Sequence, residues 1–307
     1  MKRLLLTGAR GFVGGAIQAM AQESVPDVLI AGWEIVPASS VMDMRYPMTI
    51  AEEVARVRPE AVIHLAAQSF VPESFRAPIA TFDVNFLGAF HLLSALRDSG
   101  FTGRVLYVSS GDVYGMVPED GLPVSETHLP APRSPYSVSK LAAEHLCGQW
   151  TRSDGMNIVV ARPFNHIGAG QDQRFAVSDF AAQIVDIRNG RRAAELAVGD
   201  VDVTRDFLSI HDVIRAYFAL LDKGQAGTVY NVCSGQERTL RSLIEKMAKI
   251  CGITVDIHID EHRLRANEQR RMAGDPSLLQ AHTGWRPTET IEETLKSILS
   301  YWEKNKA

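Results

Sequence analysis

TGARGFVG, at residues 7–14, follows the apolar run LLL at residues 4–6 and decides the fold class of this chain. Its three glycines, Gly8, Gly11 and Gly14, stand three residues apart, and a helix-length segment follows them. The first glycine permits a tight turn after a strand, the second lets the backbone approach a pyrophosphate, and the third allows close packing of the helix. The stretch therefore predicts a strand, a phosphate-binding loop and a helix N-terminus, which together bind a dinucleotide.

Short apolar runs alternate with helix-length segments along the chain. The predicted strands are 4–6, 28–30, 61–63, 105–108, 158–160, 205–210 and 229–232, and the predicted helices are 14–22, 50–58, 85–98, 135–152, 175–189, 211–221, 239–251 and 291–304. This alternation predicts an α/β fold with a doubly wound parallel Rossmann sheet, which binds ligands beyond the carboxyl ends of its strands. We expect a dinucleotide-binding domain over residues 1–163, to which segments of about 205–235 return. A smaller C-terminal lobe, which would bind the substrate, is expected over residues 164–307.

The composition excludes several classes of protein. The chain has 307 residues, 46% of them hydrophobic, a net charge of -4 and a pI of about 6.1. These values allow a substantial core and argue against general binding to nucleic acid or to a membrane surface. The apolar run at residues 4–6 is too short for a signal peptide, and we expect no membrane span. Three scattered cysteines indicate a reducing, cytoplasmic compartment, and the lack of a Cys/His cluster predicts no metal site.

Tyr136 and Lys140, in SPYSVSK at residues 134–140, are spaced to project from one face of a helix. Ser110, in SSGDVYG at residues 109–115, follows a predicted strand. An ammonium beside a phenol lowers the pKa of the phenol, so Tyr136 can donate a proton to a carbonyl oxygen as hydride reaches the carbon. Ser110 can orient that oxygen, and Lys140 can also hold the nicotinamide ribose. Tyr-x-x-x-Lys alone is more typical of a helix with a snorkelling lysine, but the other motifs favour the catalytic interpretation.

The choice between NADP(H) and NAD(H) depends on the end of the second strand, where an acidic residue usually marks NAD(H). No aspartate ends the predicted second strand, and Glu34 lies beyond the position expected for the acidic residue. Arg10, in the glycine loop, can instead contact a 2′-phosphate. The sequence therefore favours NADP(H), with NAD(H) as the alternative. Asp43 is a candidate acceptor for the adenine amine or a turn residue. The other candidate cofactor contacts are Phe12, Val13, Met44, Leu65, Ala66, Ala67 and Pro163.

The ordered motifs resemble those of the extended short-chain dehydrogenases/reductases that modify nucleotide sugars. TGARGFVG, HLAAQ at residues 64–68, a helix opened by Asn85 and Gly88, SSGDVYG and YSVSK occur in the order of that family, and the match runs nearly end to end. The resemblance implies a Rossmann fold, an NAD(P)H-dependent enzyme, and a catalytic set formed by Ser110, Tyr136 and Lys140.

The second half of the chain resembles the members of that family that act on GDP-linked sugars, through FNHIGAGQ (164–171), VGDVDVTRDF (198–207), YNVCSGQE (230–237) and HTGWRP (282–287). The resemblance implies reduction of the C4 ketone of GDP-4-keto-6-deoxy-D-mannose to GDP-D-rhamnose. It also implies a homodimer formed through a bundle of the helices 85–98 and 135–152. The substrate contacts that it implies are Ser110, Asp112, Tyr136, Asn165, Arg205, Arg265 and Glu268.

Three alternatives stay open at this point. Asp112, two residues after Ser110, takes the place at which the family's dehydratases carry an acidic residue, usually glutamate, so a GDP-mannose 4,6-dehydratase is one alternative. An epimerase that recycles a tightly held NAD is another. A dinucleotide-sensing regulator is the non-enzymatic alternative, and the intact Ser-Tyr-Lys set argues against it. The sequence does not separate a rhamnose product from a 6-deoxytalose product.

Overall fold

The computed structural model describes residues 1–23, 29–264 and 269–306 of the chain. Its strands are β1 (Lys2–Thr7), β2 (Trp33–Pro37), β3 (Ala61–His64), β4 (Arg104–Val108), β5 (Asn157–Pro163), β6 (Asn165–Ile167), β7 (Glu195–Val198), β8 (Thr204–Ser209), β9 (Val229–Val232), β10 (Glu237–Thr239) and β11 (Asp256–Ile259). Its α-helices are α1 (Phe12–Ala21), α2 (Pro47–Val57), α3 (Val71–Arg76), α4 (Pro78–Phe82), α5 (Gly88–Asp98), α6 (Pro135–Asp154), α7 (Ala176–Arg188), α8 (Ile210–Lys223), α9 (Leu240–Cys251), α10 (Ser277–Thr283) and α11 (Ile291–Asn305).

The main sheet has six parallel strands in the order β2-β1-β3-β4-β5-β9. Helices α1 and α8 contribute to the apolar core on one face, and α2, α5 and α6 contribute to the core on the other. This arrangement confirms the predicted doubly wound Rossmann sheet. Strand β9 pairs with β5, so the segment predicted at residues 229–232 does return to the main sheet.

The second strand is the one strand of the main sheet that was placed wrongly. Leu29 and Ile30 lie in a turn, residue 28 lies outside the described residues, and the strand is Trp33–Pro37. Ile30 packs into the core beside α1 and is buried there. An apolar residue is therefore needed at this position although it lies in a turn. The true strand lies at the edge of the sheet and includes the exposed Glu34, so it lacks the continuous apolar pattern of a buried parallel strand.

The smaller lobe is built on two short sheets with the orders β10-β8-β6 and β11-β7. Helices α7, α9 and α11 pack together around a separate apolar core. Strand β8 therefore belongs to the lobe, although the helix α8 that follows it packs against the main sheet. The chain crosses between the two parts at this point.

Helices α4 and α5 are joined by a π-helical turn, Asp83–Leu87, into one continuous helix, Pro78–Asp98. By length and composition this helix could cross a membrane, which the sequence did not predict, and 39% of its most apolar window is buried. A helix that packs on a water-soluble core meets the same criterion, so the observation is weak support for a membrane segment. Here α4 and α5 pack against α6, and α5 also packs against α2.

Candidate active site

The glycine loop between β1 and α1 folds tightly against the end of β3. Gly8 has a φ of +68°, and a Cβ placed on it would lie 2.7 Å from the backbone nitrogen of Ala66. A Cβ on Gly14 would lie 2.4 Å from the carbonyl oxygen of Gly8. Side chains at these two positions would therefore push the loop away from the sheet. The third glycine makes room for the loop itself, in addition to the helix packing expected from the sequence.

A cavity of about 190 Å³ opens at this loop, between the carboxyl ends of β1, β2 and β3. It is lined by Thr7, Gly8, Ala9, Arg10, Gly11, Ala38, Ser39, Met42, Met44 and Ala66. Five of these residues, Gly8, Arg10, Gly11, Met44 and Ala66, were candidates from the sequence. Of the other candidates, Phe12, Val13 and Gly14 begin α1, Leu65 and Ala67 follow β3, and Pro163 ends β5.

Asp43 does not line this cavity, although the two methionines beside it do. Its carboxylate forms an ion pair with the Arg45 guanidinium at 2.6 Å, and it also accepts a hydrogen bond from the Arg45 backbone nitrogen. These hydrogen bonds lower the pKa of Asp43. The structure favours the turn role that the sequence left open.

Ser39 is a cavity residue that the sequence did not reveal, because the second strand was placed too early. Strand β2 ends at Pro37, so Ala38 and Ser39 occupy the position that decides cofactor choice in this fold. The Ser39 backbone nitrogen donates to Glu53 Oε1 at 2.7 Å, and both this nitrogen and the Ser39 side chain act to lower the pKa of Glu53. A serine and an alanine therefore replace the acidic residue that usually marks NAD(H).

The proposed catalytic side chains converge beyond the carboxyl end of β4. Helix α6 begins at Pro135, and its capping residue Ser134 accepts a hydrogen bond from Ser137, which fixes the first turn that carries Tyr136. The hydroxyl of Tyr136 lies beside the Ser110 side chain, which acts to lower the pKa of the phenol. One turn further along α6, Lys140 Nζ donates to the carbonyl oxygen of Val108 at 2.8 Å.

Burial governs the proton affinities of this group. The pKa of Tyr136 is raised above its ordinary value, mainly by burial and also by the negative charge of Asp112, while Ser110 acts in the opposite direction. The sequence predicted a lowered pKa, and that prediction is wrong for the protein alone. Burial is the largest cause of this rise, and burial also lowers the pKa of Lys140 to about 8.

Asn85 connects the loop after β3 to the catalytic helix. Its Oδ1 accepts from the backbone nitrogen of Gln68 at 2.8 Å, and its Nδ2 donates to Ser139 Oγ at 3.0 Å. Asn85 therefore ties the loop to the active site, one of the two roles that the sequence allowed.

His64, at the end of β3, is hydrogen-bonded through Nδ1 to the hydroxyl of Thr7 at 2.7 Å, but its Nε2 has no protein partner. The histidine is therefore packed as expected, but only half of its hydrogen-bonding capacity is used. Burial lowers the pKa of His64 to about 3, so the ring is neutral.

The candidate substrate residues lie on the small sheet and beside Tyr136. Asn165 on β6 is paired in register with Phe207 on β8, and Arg205 precedes Phe207 by two residues, so Asn165 and Arg205 project from one face of this sheet. Arg205 Nη1 donates to two backbone carbonyl oxygens, at 2.7 and 2.8 Å. Asp112 is exposed and near Tyr136. Arg265 and Glu268 lie outside the described residues.

Among residues 1–23, 29–264 and 269–306, no group of three or more His, Cys, Asp or Glu side chains is arranged to hold a metal ion. The arrangement instead offers a phosphate-binding loop, a buried proton donor and an arginine-bearing sheet face. It is therefore suited to proton transfer beside a bound dinucleotide.

Comparison with known proteins connects this arrangement to a family. The profile of the family described as GDP-mannose 4,6 dehydratase matches residues 39–298. A Pseudomonas aeruginosa protein described as GDP-6-deoxy-D-mannose reductase is 48% identical over 98% of this chain and 97% of its own length. An Aggregatibacter actinomycetemcomitans protein described as GDP-6-deoxy-D-talose 4-dehydrogenase is 28% identical over 90% of this chain and 90% of its own length.

Solved structures give the same result. The structure of RMD from Pseudomonas aeruginosa complexed with NADPH superposes with a TM-score of 0.92 at 47% identity, over 99% of this chain and 100% of that one. The UDP-glucose 4-epimerase of Thermotoga maritima with UDP-glucose superposes with a TM-score of 0.87 at 25% identity, over 99% of this chain and 100% of that one.

Proposed function

The chain belongs to the GDP-mannose 4,6 dehydratase family, among the extended short-chain dehydrogenases/reductases, and we propose that it is an NADPH-dependent nucleotide-sugar 4-ketoreductase. Its substrate is GDP-4-keto-6-deoxy-D-mannose and its product is GDP-D-rhamnose. The observation that carries this proposal is the convergence of Tyr136, Ser110 and Lys140 at the sheet edge that also bears the glycine loop. The 48% identity to a GDP-6-deoxy-D-mannose reductase supports this substrate over others used in the family.

NADPH fits the residues around the glycine loop. The loop leaves no room for a Cβ at Gly8 or Gly14, and it leads into the N-terminus of α1, which suits a pyrophosphate. Arg10 and Ser39 line the same cavity, none of whose described lining residues is acidic, and they suit a 2′-phosphate. Lys140, Tyr136 and Pro163 would lie along the nicotinamide half. When bound, NADPH supplies the hydride.

In the mechanism that we propose, Tyr136 protonates the O4 oxygen of the sugar. Because burial raises the pKa of Tyr136, the phenol keeps its proton until an oxyanion develops beside it. Ser110, which lies beside Tyr136, holds the same oxygen in place. The ammonium of Lys140, one turn away, stabilises the phenolate that remains.

The nucleotide is held by the smaller lobe. Asn165 and Arg205 project from one sheet face, and an arginine guanidinium matches the geometry of a diphosphate. Asp112, beside Tyr136, would contact the sugar. We also assign substrate contacts to Arg265 and Glu268, which lie outside the described residues.

The reaction is tested with purified protein, GDP-4-keto-6-deoxymannose and either NADPH or NADH. We expect loss of reduced cofactor, faster with NADPH, and formation of GDP-D-rhamnose. No oxidation of either cofactor would contradict the proposal, and a 6-deoxytalose product would redirect it to the activity named for the 28% identical relative.

A dehydratase is the second candidate, because Asp112 supplies a carboxylate near Tyr136. Incubation with GDP-mannose alone separates the two activities, since only a dehydratase forms a 4-keto product from it.

A second copy of this chain is the partner that we infer for the helix surface. Leu87, Phe90 and Val138, on the π-helical turn and on α5 and α6, are 41, 42 and 40% exposed, and Ile79 on α4 is 77% exposed. Pairing of these helices with their copies would cover the exposed apolar side chains. We expect F90D to yield monomers in light scattering and I250D, on α9 of the smaller lobe, to leave the mass unchanged. A wild-type monomer would contradict the inference.

The cytoplasm is the compartment that we infer. Cys147, Cys233 and Cys251 are all free thiols, and Cys147 and Cys233 are buried. Free thiols support a reducing compartment.

A further inference from the structure

A buried ion pair lies behind the catalytic side chains. Glu144 stands one turn beyond Lys140 on α6, and Arg162 lies on the adjacent strand β5. Arg162 Nη2 donates to Glu144 Oε2 at 2.6 Å, and Arg162 Nε donates to Glu144 Oε1 at 3.0 Å. The two side chains are only 6% and 4% exposed. Such a pair is unfavourable to break, because removing one partner leaves an uncompensated buried charge.

The ion pair continues into a network that reaches the last strand of the main sheet. Arg162 Nη1 donates to the Tyr114 hydroxyl at 2.9 Å, and that hydroxyl donates to Asn231 Oδ1 at 2.7 Å. Asn231 in turn donates through Nδ2 to the carbonyl oxygen of Val124 at 2.9 Å. The network therefore joins α6, β5, β9 and the segment that follows β4, and that segment carries Ser110.

The link to catalysis is Ser109, whose hydroxyl donates to Glu144 Oε1. Ser109 stands between Val108, whose carbonyl accepts from Lys140, and Ser110, whose side chain lies beside the Tyr136 hydroxyl. Glu144 therefore holds the residue between the two points at which β4 meets the catalytic helix.

We propose that Glu144 and Arg162 are positioning residues for the ketoreduction, and that Glu144 is also the counter-charge that keeps Lys140 an ammonium. This proposal rests on the proposed function. The carboxylate fixes Ser109, and with it the Val108 carbonyl and the Ser110 hydroxyl, relative to Lys140 and Tyr136. Arg162 pairs with the carboxylate, so that neither of these two buried charges is left without a partner.

The surroundings of Lys140 support the electrostatic part of the proposal. Burial lowers the pKa of Lys140 to about 8, and the charge of Glu144 acts to raise it. Burial lowers the pKa of His64 to about 3, raises that of Tyr107, whose ring centroid lies 5.3 Å from Lys140 Nζ, and raises that of Cys147. These three groups are therefore neutral at neutral pH, and Glu144 supplies the negative charge that acts on Lys140.

The experiment is an NMR titration of protein labelled at the lysine side-chain carbon, with the Lys140 signal assigned by its loss in K140R. E144Q leaves Arg162 unbalanced, so the pKa of Lys140 should fall by about one unit or more. R162Q leaves Glu144 unbalanced, so the pKa should rise. The double variant E144Q/R162Q leaves neither charge unpaired and should return the pKa towards the wild-type value.

Measurements of kcat against pH complete the test. The pH at which kcat falls on the alkaline side of this profile should follow the pKa of Lys140 in each variant. The KM for the GDP-sugar should stay near the wild-type value. Y114F is the matched control, because it removes a network hydrogen bond without changing a charge. Its thermal stability should fall, while the alkaline limb of its kcat–pH profile should stay at the wild-type pH. A purely structural network predicts losses without opposite shifts, so shifts of the same sign in E144Q and R162Q overturn the proposal, as does no shift in either.

The titration separates this proposal from the proposed function, because it needs no substrate. Opposite shifts of the Lys140 pKa in a protein that reduces no GDP-sugar would overturn the function and keep the counter-charge role. If E144Q does not fold, the upward shift in R162Q and its reversal in the double variant decide the question, since the double variant has no unpaired buried charge.

Discussion

Removal of the Tyr136 hydroxyl separates chemistry from binding and stability. In Y136F the proton donor is lost, while the Ser110 hydroxyl, which accepts from the Asp112 backbone nitrogen at 3.2 Å, stays in place. General acid catalysis contributes about 10²- to 10⁴-fold, and we expect kcat to fall by about 10³-fold. This loss corresponds to about 4 kcal/mol of transition-state stabilisation.

The fold of Y136F should be intact. Tyr136 is a buried residue, and even a full hydrogen bond from its hydroxyl to Ser110 would contribute only about 1 kcal/mol net, because the cost of burying the polar group is lost with it. We therefore expect the free energy of unfolding to change by less than about 1 kcal/mol. NADPH affinity should fall by less than about tenfold, the value of one hydrogen bond.

Single-turnover oxidation of NADPH measures the chemical step, and fluorescence titration measures NADPH binding. Y107F is the matched control, since Tyr107 is a buried tyrosine on β4 whose hydroxyl has no protein partner. Its loss should leave kcat within about twofold and should not lower stability. A Y136F protein that binds NADPH and keeps more than about a tenth of wild-type kcat would refute the assignment of Tyr136 as the acid.

Three further predictions concern the loop, the cofactor and the pH dependence of stability. G14A should lower stability by about 1–3 kcal/mol and weaken NADPH binding, because its Cβ would lie 2.4 Å from a carbonyl oxygen. G15A is the control and should do neither, because a Cβ at that position has no atom within 4 Å. S39E should reduce the preference for NADPH over NADH, measured by titration, by about tenfold or more through charge repulsion, and an unchanged preference would place the 2′-phosphate elsewhere. Glu289 raises the pKa of His211 above its ordinary value of 6.5. The wild type should therefore be more stable than H211N below about pH 6.5, and this difference should disappear as the pH rises through the folded-state pKa of His211. A difference in the free energy of urea unfolding that does not change with pH would contradict this.

The local pattern of the sequence was sufficient for most of the main sheet. β1, β3, β4 and β5 are buried on both faces, so each appears as a continuous apolar run. The spacing of Tyr136 and Lys140 is also a local property, because one helical turn brings them to the same face. The edge strand β2 has no such continuous apolar run, because residues on its solvent side are exposed or half-buried. The sequence pattern therefore did not locate it. That error hid Ser39.

The proton affinities and the buried network could not be predicted from local pattern. The pKa of Tyr136 depends on how completely the folded chain excludes water from the phenol, and proximity in sequence to a lysine does not report this. Glu144 and Arg162 are 18 residues apart, and Tyr114 and Asn231 are 117 apart. Their contacts exist because the crossovers bring β4, β5 and β9 side by side.

The sequence by itself determined the Rossmann sheet, the tight glycine loop after its first strand and the helix face that Tyr136 and Lys140 share, because strand burial, glycine conformation and helical spacing act within a few residues. The tertiary structure alone decided which residues end the second strand and whether the pKa of each buried group is raised or lowered. It also decided which charges face each other behind the catalytic side chains. These properties depend on solvent exclusion and on contacts between distant segments, and both arise only when the chain is folded.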